Sequence, residues 1–428
     1  MLNNIFELNK DKFSEACSYC AKPLILNDFY FYGWRNLYEC RCTKCKANFL
    51  IDMPIFSGIP YPAIYDKKKG VINNVASWWG EPLENISSKL LEKVIVNDIK
   101  TNKQNNKLII FNLLDFVFGH SFMRLERLTY YIDNQDFKEY DFLVLVPSQL
   151  RYLLSKFEDT ISIVEIKASF SKYKYFYANI DKEVKKITHN YSNVFCEMLK
   201  YPQQEFIKLE NLHLPINKWV KDIKKIVIVY RKDRVIGVTN RAQFIFYKKL
   251  ISMVNKLDIE IFMIGDKDTY FFNKVNDLRV VEFDKNTDIL WNETCSGAIT
   301  IGVHGSNMLI PSLCSAYNLE FVSYDKLYNF GQATAFLESM NQQETIQKYR
   351  YIYGNDYLTD INPYLVYEVI KSIVVQMNNT FNSVNKEKYE DLKLVRTSYE
   401  RSSQVKNNIS LYKKFYKLIY KIRKKVNI

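Results

Sequence analysis

The sequence predicts an α/β protein with two Rossmann-like domains, preceded by a cysteine-rich ribbon and followed by a basic amphipathic helix. Three observations predict this: two Cys-x2-Cys pairs near the N-terminus, two successive runs of alternating strands and helices, and a lysine-rich C-terminus. Short links between alternating strands and helices favour parallel, doubly wound sheets. The predicted segments are 1–60 (ribbon), 61–220 and 221–377 (the two α/β domains), and 378–428 (linker and tail).

Length, composition and charge limit the class of protein. A chain of 428 residues with 47% hydrophobic residues fits about two globular domains. The net charge of +13 predicts an anionic partner, which could be nucleic acid, a phosphorylated substrate or an acidic membrane; a solvated basic surface is the plain alternative. The N-terminus lacks signal-peptide features, and no apolar run reaches about 18 residues, so we expect no transmembrane helix.

The cysteine spacing of the N-terminal ribbon predicts a metal site. Cys17 and Cys20 form one Cys-x2-Cys pair, and Cys42 and Cys45 form a second about twenty residues later. Such pairs are typical of zinc ribbons, in which four thiolates close a tetrahedral structural Zn²⁺ site. The alternative is a set of free buried cysteines, and Cys40 is predicted to be a spare. Eight cysteines without a signal peptide favour a reducing cytoplasm.

Both α/β runs contain recognisable buried strands. The first contains KLIIFNLL, YDFLVLVP and TISIVEI, and the second contains KKIVIVY, IEIFMIG, LRVVEF, AITIGV and LEFVSY. No GxGxxG follows the first strand of either run, and no GxxxxGK[ST] occurs. Dinucleotide oxidoreductases and P-loop NTPases are therefore poor matches.

A polar insert at the end of one strand is a candidate anion site. His304, Gly305, Ser306 and Asn307 lie between AITIGV and an apolar helix. Open α/β sheets bind ligands at this edge, where helix N-termini accept phosphate oxygens and glycine permits a close approach. The alternative is a tight turn with a capping serine and a satisfied histidine.

Two arginines follow the first strand of the second run. Arg231 and Arg234 occur in VIVYRKDR, and the carboxyl ends of parallel strands share one edge of the sheet. The guanidinium fork suits a diphosphate because it contacts two oxygens at once. Solvated surface side chains are the alternative.

These segments resemble a known family. Two tandem Rossmann-like units resemble the GT-B glycosyltransferases, and AITIGVHGSNMLIPSLCSA resembles the signature of glycosyltransferase family 61. FGHSFMRLERL is similar to a second family segment, which contains a histidine and a following acidic residue. The resemblance implies an inverting transfer from a nucleotide-sugar without a catalytic metal. It places Arg231, Arg234 and residues 304–307 on the donor side of a cleft.

The same resemblance suggests the acceptor side. Glu126, His120 and Asp115 follow a strand of the first domain and are the candidates for the base that inversion requires. A helix cap and a surface charge are the alternatives for the two carboxylates.

The C-terminal segment LYKKFYKLIYKIRKKVNI has an apolar stripe opposite a basic face. The stripe contains Leu411, Phe415, Leu418 and Ile422, and the segment has seven Lys or Arg and no acidic residue. This pattern is typical of helices that lie on anionic membranes. A terminal helix packed on the body is the alternative.

Together these features predict a cytoplasmic glycosyltransferase, peripheral on the inner face of the membrane, that builds a surface polysaccharide. Its partners would be a nucleotide-sugar donor, a saccharide or lipid-linked acceptor and an anionic membrane, but no nucleic acid. A zinc-ribbon nucleic-acid-binding protein is the alternative from another class, since ribbon and charge could both contact phosphates. The ribbon carries few basic residues relative to the tail, which favours the enzyme. A catalytically inactive scaffold is a third possibility.

Overall fold

The computed structural model describes residues 5–8, 16–59, 62–73, 83, 86, 93–198, 214, 223–326 and 349–379. The chain divides into a unit of residues 1–372, which contains all of the sheets described below, and a unit of residues 373–428. The predicted membrane-binding segment at 411–426 lies outside the described residues. No helix within the described ranges is both long and apolar enough to cross a membrane.

In chain order the described strands are β1 (Ile5–Glu7), β2 (Leu24–Phe31), β3 (Asn36–Cys42), β4 (Asn48–Asp52), β5 (Ile64–Asp66), β6 (Val71–Asn73), β7 (Ile95–Lys100), β8 (Lys107–Asn112), β9 (Tyr140–Pro147), β10 (Ser162–Lys167), β11 (Asn193–Glu197), β12 (Lys225–Tyr230), β13 (Glu260–Gly265), β14 (Asn276–Asp277), β15 (Ile299–Val303), β16 (Tyr317–Ser323) and β17 (Tyr349–Gly354). The α-helices are α1 (Phe118–Asp133), α2 (Ala178–Thr188), α3 (Asn240–Val254), α4 (Lys285–Cys295), α5 (Leu309–Cys314) and α6 (Pro363–Asn379).

Two six-stranded sheets form the α/β part of the protein. The first has the order β1-β11-β8-β9-β10-β7, with a parallel centre and an antiparallel strand at each edge. The second has the order β14-β13-β12-β15-β16-β17 and is parallel throughout. The central strands are apolar and buried, as strands covered on both faces must be. The predicted α/β class with parallel sheets is therefore confirmed.

The cysteine-rich ribbon is an antiparallel meander of β2 to β6. It extends to Asn73, beyond the predicted boundary at residue 60, because β5 pairs with β4 and β6 pairs with β5. The meander packs on the first parallel sheet: the Asn112 amide donates to the carbonyl of Gly33 at 2.6 Å and to the side chain of Asn36 at 2.7 Å. The ribbon and the first sheet therefore share one core.

Several elements differ from the sequence prediction. LRVVEF was predicted to be a strand, whereas the nearby strand β14 covers only Asn276–Asp277. The reason is local: Arg279 lies in this segment and forms buried ion pairs with Asp268 and Asp277, which hold the chain as a loop. β7, β11 and β17 were not predicted, because their sequences have mixed polarity.

Candidate functional site

A cleft of about 520 Å³ lies at the carboxyl ends of the strands of both parallel sheets. The first sheet contributes residues 116–118, which follow β8, and 170–171, which follow β10. The second contributes Arg231 after β12, Asp266 after β13 and Ser306 after β15. Ligand pockets are typically about 300–1,000 Å³. The cleft therefore has the size and position of a binding site in an α/β protein.

Gly305 lies in a tight turn that follows β15. Its φ is +148° and its ψ is −177°, a conformation that L side chains rarely adopt. A Cβ at this position would lie 2.4 Å from Nη1 of Arg234 and 2.7 Å from Nη1 of Arg231. The absence of a side chain therefore lets two guanidinium groups pack against the backbone of the turn.

The two arginines differ in their partners. Arg231 donates from Nε and Nη2 to the carboxylate of Asp233, at 2.9 and 2.6 Å. Its Nη1 is buried and has no hydrogen-bond partner among the described residues. Arg234 donates from Nη1 to the backbone carbonyl of His304 at 2.8 Å. Burial and the charge of Arg231 together lower the pKa of Arg234. Two neighbouring cations partly shielded from water form an environment that favours an anion.

His304 is buried behind this turn. Its Nδ1 lies 3.1 Å from Oε2 of Glu320 on β16, and the Tyr349 hydroxyl donates to the same oxygen at 2.7 Å. The Nε2 of His304 is buried without a partner in the described part of the chain. Glu320 thus orients the imidazole and favours a proton on Nδ1 in the neutral ring.

Gly119, near the start of α1, contacts the turn. A Cβ on Gly119 would lie 2.7 Å from Cβ of Ser306 and 2.7 Å from Cδ1 of Leu309. Glycine is therefore required for this contact between α1 and the 304–307 turn. Ser306 and Asn307 line the cleft beside it. The structure thus brings Arg231, Arg234 and residues 304–307 together. This group of residues is called the arginine corner.

The predicted acceptor-side residues occupy a separate cluster near the start of α1. Asp115 is fully buried and accepts from Nη2 of Arg124 at 2.8 Å and from the backbone N–H of Val117 at 2.9 Å. Its Oδ1 lies 3.4 Å from Nδ1 of His120. Burial would raise the pKa of Asp115, but Arg124 and His120 outweigh it and lower the pKa.

The cleft is lined by residues 116–118, between Asp115 and His120, and by neither of these two residues. Glu126 lies on α1, and its side chain is outside the described residues.

Asp233, Asp266 and Asp288 line the cleft and were not predicted from the sequence, and Asp288 is the buried one of the three. Asp288, in the first turn of α4, is 4% exposed, and its Oδ2 accepts from the hydroxyl of Tyr152 at 2.7 Å. The same hydroxyl accepts from the amide of Asn292 at 2.9 Å. Burial raises the pKa of Asp288 to about 7. In the sequence Asp288 looks like an ordinary polar residue of a surface helix, because its partner Tyr152 is 136 positions away in the chain.

Aromatic rings also line the cleft. Phe118 contacts both Phe170 and Phe283 edge-on, with centroids 5.4 and 5.6 Å apart. Phe283 in turn contacts Trp291 at 5.3 Å. All four residues line the cleft. Aromatic faces of this kind can stack on a nucleobase.

The four predicted ribbon cysteines form one cluster. The Sγ atoms of Cys17, Cys20, Cys42 and Cys45 all lie within 4.8 Å of one another. Cys17 and Cys45 are separated by 3.5 Å between sulfurs, and Cys20 and Cys42 by 3.4 Å. A tetrahedral Zn²⁺ with Zn–S bonds of about 2.3 Å holds its sulfurs at about this separation. The donor set therefore fits a closed metal site, and the predicted cluster is confirmed.

Comparison with known proteins adds little to this description. No protein-family model matches the chain, and no curated protein matches it. One solved structure that is similar is that of the E. coli ADP-heptose lps heptosyltransferase II, with 11% identity and a TM-score of 0.35. The similarity covers 63% of this chain and 99% of that one. The described residues form an α/β protein with two six-stranded sheets, a cleft at the carboxyl ends of their strands and a four-cysteine ribbon.

Proposed function

We propose that this protein is a glycosyltransferase that moves a sugar from a nucleotide-sugar to a saccharide or lipid-linked acceptor. The observation that carries the proposal is the packing of Arg231 and Arg234 against Gly305, at the carboxyl edge of a fully parallel sheet. This edge opens on a cleft of about 520 Å³. Of the function classes predicted from the sequence, nucleotide-sugar transfer accounts best for a paired-arginine site in an interdomain cleft.

The arginine corner supports binding of the donor diphosphate. Nη1 of Arg231 is buried and has no partner in the described part of the chain, so an anionic oxygen would satisfy a donor that otherwise costs free energy. The Asp233 carboxylate neutralises only part of the pair. Two guanidinium groups can neutralise the charge that develops on the leaving diphosphate, and the proposed mechanism therefore uses no catalytic metal.

The proposed transfer inverts the anomeric centre. The acceptor oxygen attacks the anomeric carbon as the bond to the diphosphate breaks, and a base removes the hydroxyl proton. The sequence proposes Glu126, His120 and Asp115 for this side of the cleft. In the structure Asp115 is buried and ion-paired, so its role here is to hold the imidazole of His120.

The remaining parts of the proposal concern location. Residues 411–426 would form a helix on the inner face of the cytoplasmic membrane, where a lipid-linked acceptor for surface polysaccharide is presented. The ribbon would carry one structural Zn²⁺, because four thiolates leave no open coordination position for catalysis.

A thermal-shift screen against UDP-, GDP-, ADP- and dTDP-sugars and the free nucleoside diphosphates tests the proposed function. We expect one nucleotide class to stabilise the protein selectively, because ligands that bind only the folded state raise the melting temperature. Duplex and single-stranded nucleic acids form the comparison set. Stabilisation by nucleic acids alone would contradict the proposal.

A further inference from the structure

We propose that Asp288 is the base that removes the proton from the acceptor hydroxyl, an inference that rests on the proposed glycosyl transfer. Asp288 lines the same cleft as Arg231 and Arg234. It is held in place from both domains, by Tyr152 of the first and by α4 of the second. A carboxylate fixed in this way meets the need of a general base for a defined position.

Asp288 differs from the other carboxylates of the cleft in its hydrogen-bond and ion-pair partners. Asp233 forms an ion pair with Arg231, and Asp266 accepts from the backbone N–H of Lys232 at 3.0 Å. Asp288 has no cationic partner among the described residues, and its side-chain partners, Tyr152 and Asn292, are neutral. A carboxylate without a cation retains more of its basicity.

Among the described residues, three acids that are neutral at pH 7 interact electrostatically with Asp288. Tyr152 comes from the turn at residues 151–157, Cys295 from the end of α4 and Cys314 from α5. Burial raises the pKa of each of them above its ordinary value. None can therefore neutralise the charge of Asp288 near pH 7. Burial raises the pKa of Asp288 itself to about 7. That value is close to the optimum for a base that works at neutral pH.

The Asp288 carboxylate takes the proton of the acceptor hydroxyl, and the freed oxygen forms a bond to the anomeric carbon of the donor. The bond between that carbon and the diphosphate oxygen breaks, and its electron pair leaves on the diphosphate. Arg231 and Arg234 bind the departing anion. The proton on Asp288 is released to water when the product leaves.

The Tyr152 hydroxyl acts as a positioning group. Its hydrogen bond stabilises the ionised form of Asp288 and lowers the pKa of that carboxyl relative to a site without it. Removing the hydroxyl with Tyr152→Phe should raise this pKa. The acid limb of the rate profile should then move to higher pH, an effect that a purely structural role of Tyr152 would not produce.

The test uses the full-length protein and water as acceptor, and measures release of nucleoside diphosphate from UDP-, GDP-, ADP- and dTDP-sugars between pH 5 and 9. We expect the wild-type rate to fall below about pH 7. Asp288→Asn should reduce kcat by about 100-fold or more, with donor affinity changed by less than about threefold.

The matched control is Asp284→Asn, which keeps the N-cap of α4 and lies outside the cleft. It should leave the rate unchanged.

The possible results distinguish failure of the base assignment from failure of the proposed function. An Asp288→Asn variant that binds the donor and releases diphosphate at the wild-type rate would overturn the base assignment and leave the proposed function standing. A wild-type protein that releases no diphosphate from any sugar would overturn both. Titration of ¹³C-labelled aspartate by NMR needs no turnover: we expect a carboxyl resonance that titrates near pH 7 and is lost in Asp288→Asn. The absence of any such resonance between pH 6 and 8 would also overturn the assignment.

Discussion

Nη1 of Arg234 donates a 2.8 Å hydrogen bond to the carbonyl oxygen of His304, and this bond joins two parallel strands at the candidate donor site. Arg234 follows β12 and His304 follows β15, which are neighbours in the second sheet. The contact aligns the arginine with the turn at Gly305, where Arg231 also packs.

Gly305→Ala should weaken binding of nucleoside diphosphates by tenfold or more. The new Cβ would overlap Nη1 of both Arg234 and Arg231, so both side chains must move away from the turn. The positive φ adds a strain of about 1–3 kcal/mol, so stability should fall modestly. Calorimetric titration with UDP, GDP, ADP and dTDP measures the affinity.

The control for this variant is Gly70→Ala, in the hairpin between β5 and β6. Gly70 also has a positive φ, of +65°, but the nearest atom to its Cβ is 4.0 Å away, and it lies far from the cleft lining. It should lose stability without losing affinity. Equal losses of affinity in the two variants would count against the packing argument.

Purified protein should contain one Zn²⁺ per chain, measured by elemental analysis. Cys20→Ser should lose the metal, because three thiolates hold zinc less tightly than four. Cys40→Ala should retain it, because Cys40 lies outside the four-cysteine cluster although it is fully buried in the same sheet. Zinc-free protein from a preparation without chelator, or equal zinc loss in both variants, would contradict the structural site.

Asp288→Asn should stabilise the fold, and the gain should grow as pH rises from about 4 to about 7. Burial raises the pKa of Asp288 to about 7, above about 3.9 in an unfolded chain. A raised pKa contributes stability that is full below about pH 4 and is lost as pH rises through about 7. Asparagine stays neutral and avoids this loss, and each unit of pKa corresponds to about 1.4 kcal/mol.

Urea unfolding at pH 4.5 and pH 8 measures this effect. We expect the stability gain of Asp288→Asn to be larger at pH 8 by more than about 1 kcal/mol. Asp284→Asn should show no such difference between the two pH values, because hydrogen bonds from Thr287 lower the pKa of Asp284 and its carboxyl is ionised at both. A gain for Asp288→Asn that is independent of pH would show that the carboxyl does not titrate in this range.

The full chain should co-sediment with anionic vesicles, and a chain that ends at residue 405 should not. Each Lys or Arg near an anionic surface contributes about 1 kcal/mol, and the apolar stripe adds burial. The basic residues of the segment are Lys413, Lys414, Lys417, Lys421, Arg423, Lys424 and Lys425. Binding should weaken as salt rises. Equal sedimentation of both chains, or no preference for anionic over neutral vesicles, would favour a tail packed on the body.

Local sequence patterns predicted much of the fold, but they did not predict the contacts between distant parts of the chain. The buried strands β8, β9, β12, β13 and β15 follow from uninterrupted apolar runs. The Cys17, Cys20, Cys42 and Cys45 cluster follows from spacing alone, since each Cys-x2-Cys pair is a local unit. Strand β7 has mixed polarity because it is an edge strand, so its pattern gives a weak signal.

The candidate site was predictable only in part, for a similar reason. Arg231, Arg234 and Gly305 each follow a recognisable strand, and parallel topology then brings strand ends together. Asp288 is different: its burial depends on Tyr152, which is 136 positions away in the chain. A local sequence pattern does not show contacts between residues far apart in the chain. Sequence reasoning therefore proposed Asp115, His120 and Glu126 as base candidates and did not include Asp288.

The most direct test of the central claim is calorimetric titration of Arg231→Gln, Arg234→Gln and wild-type protein with UDP, GDP, ADP and dTDP. We expect the wild type to bind at least one of them, and each variant to lose tenfold or more in affinity, since a charge-assisted contact contributes about 1.5–3 kcal/mol. Arg241→Gln is the matched control, because Arg241 is exposed on α3 outside the cleft lining, and it should bind as the wild type does. Wild-type protein that binds none of the four, or unchanged affinity in both cleft variants, would contradict a donor site at this corner.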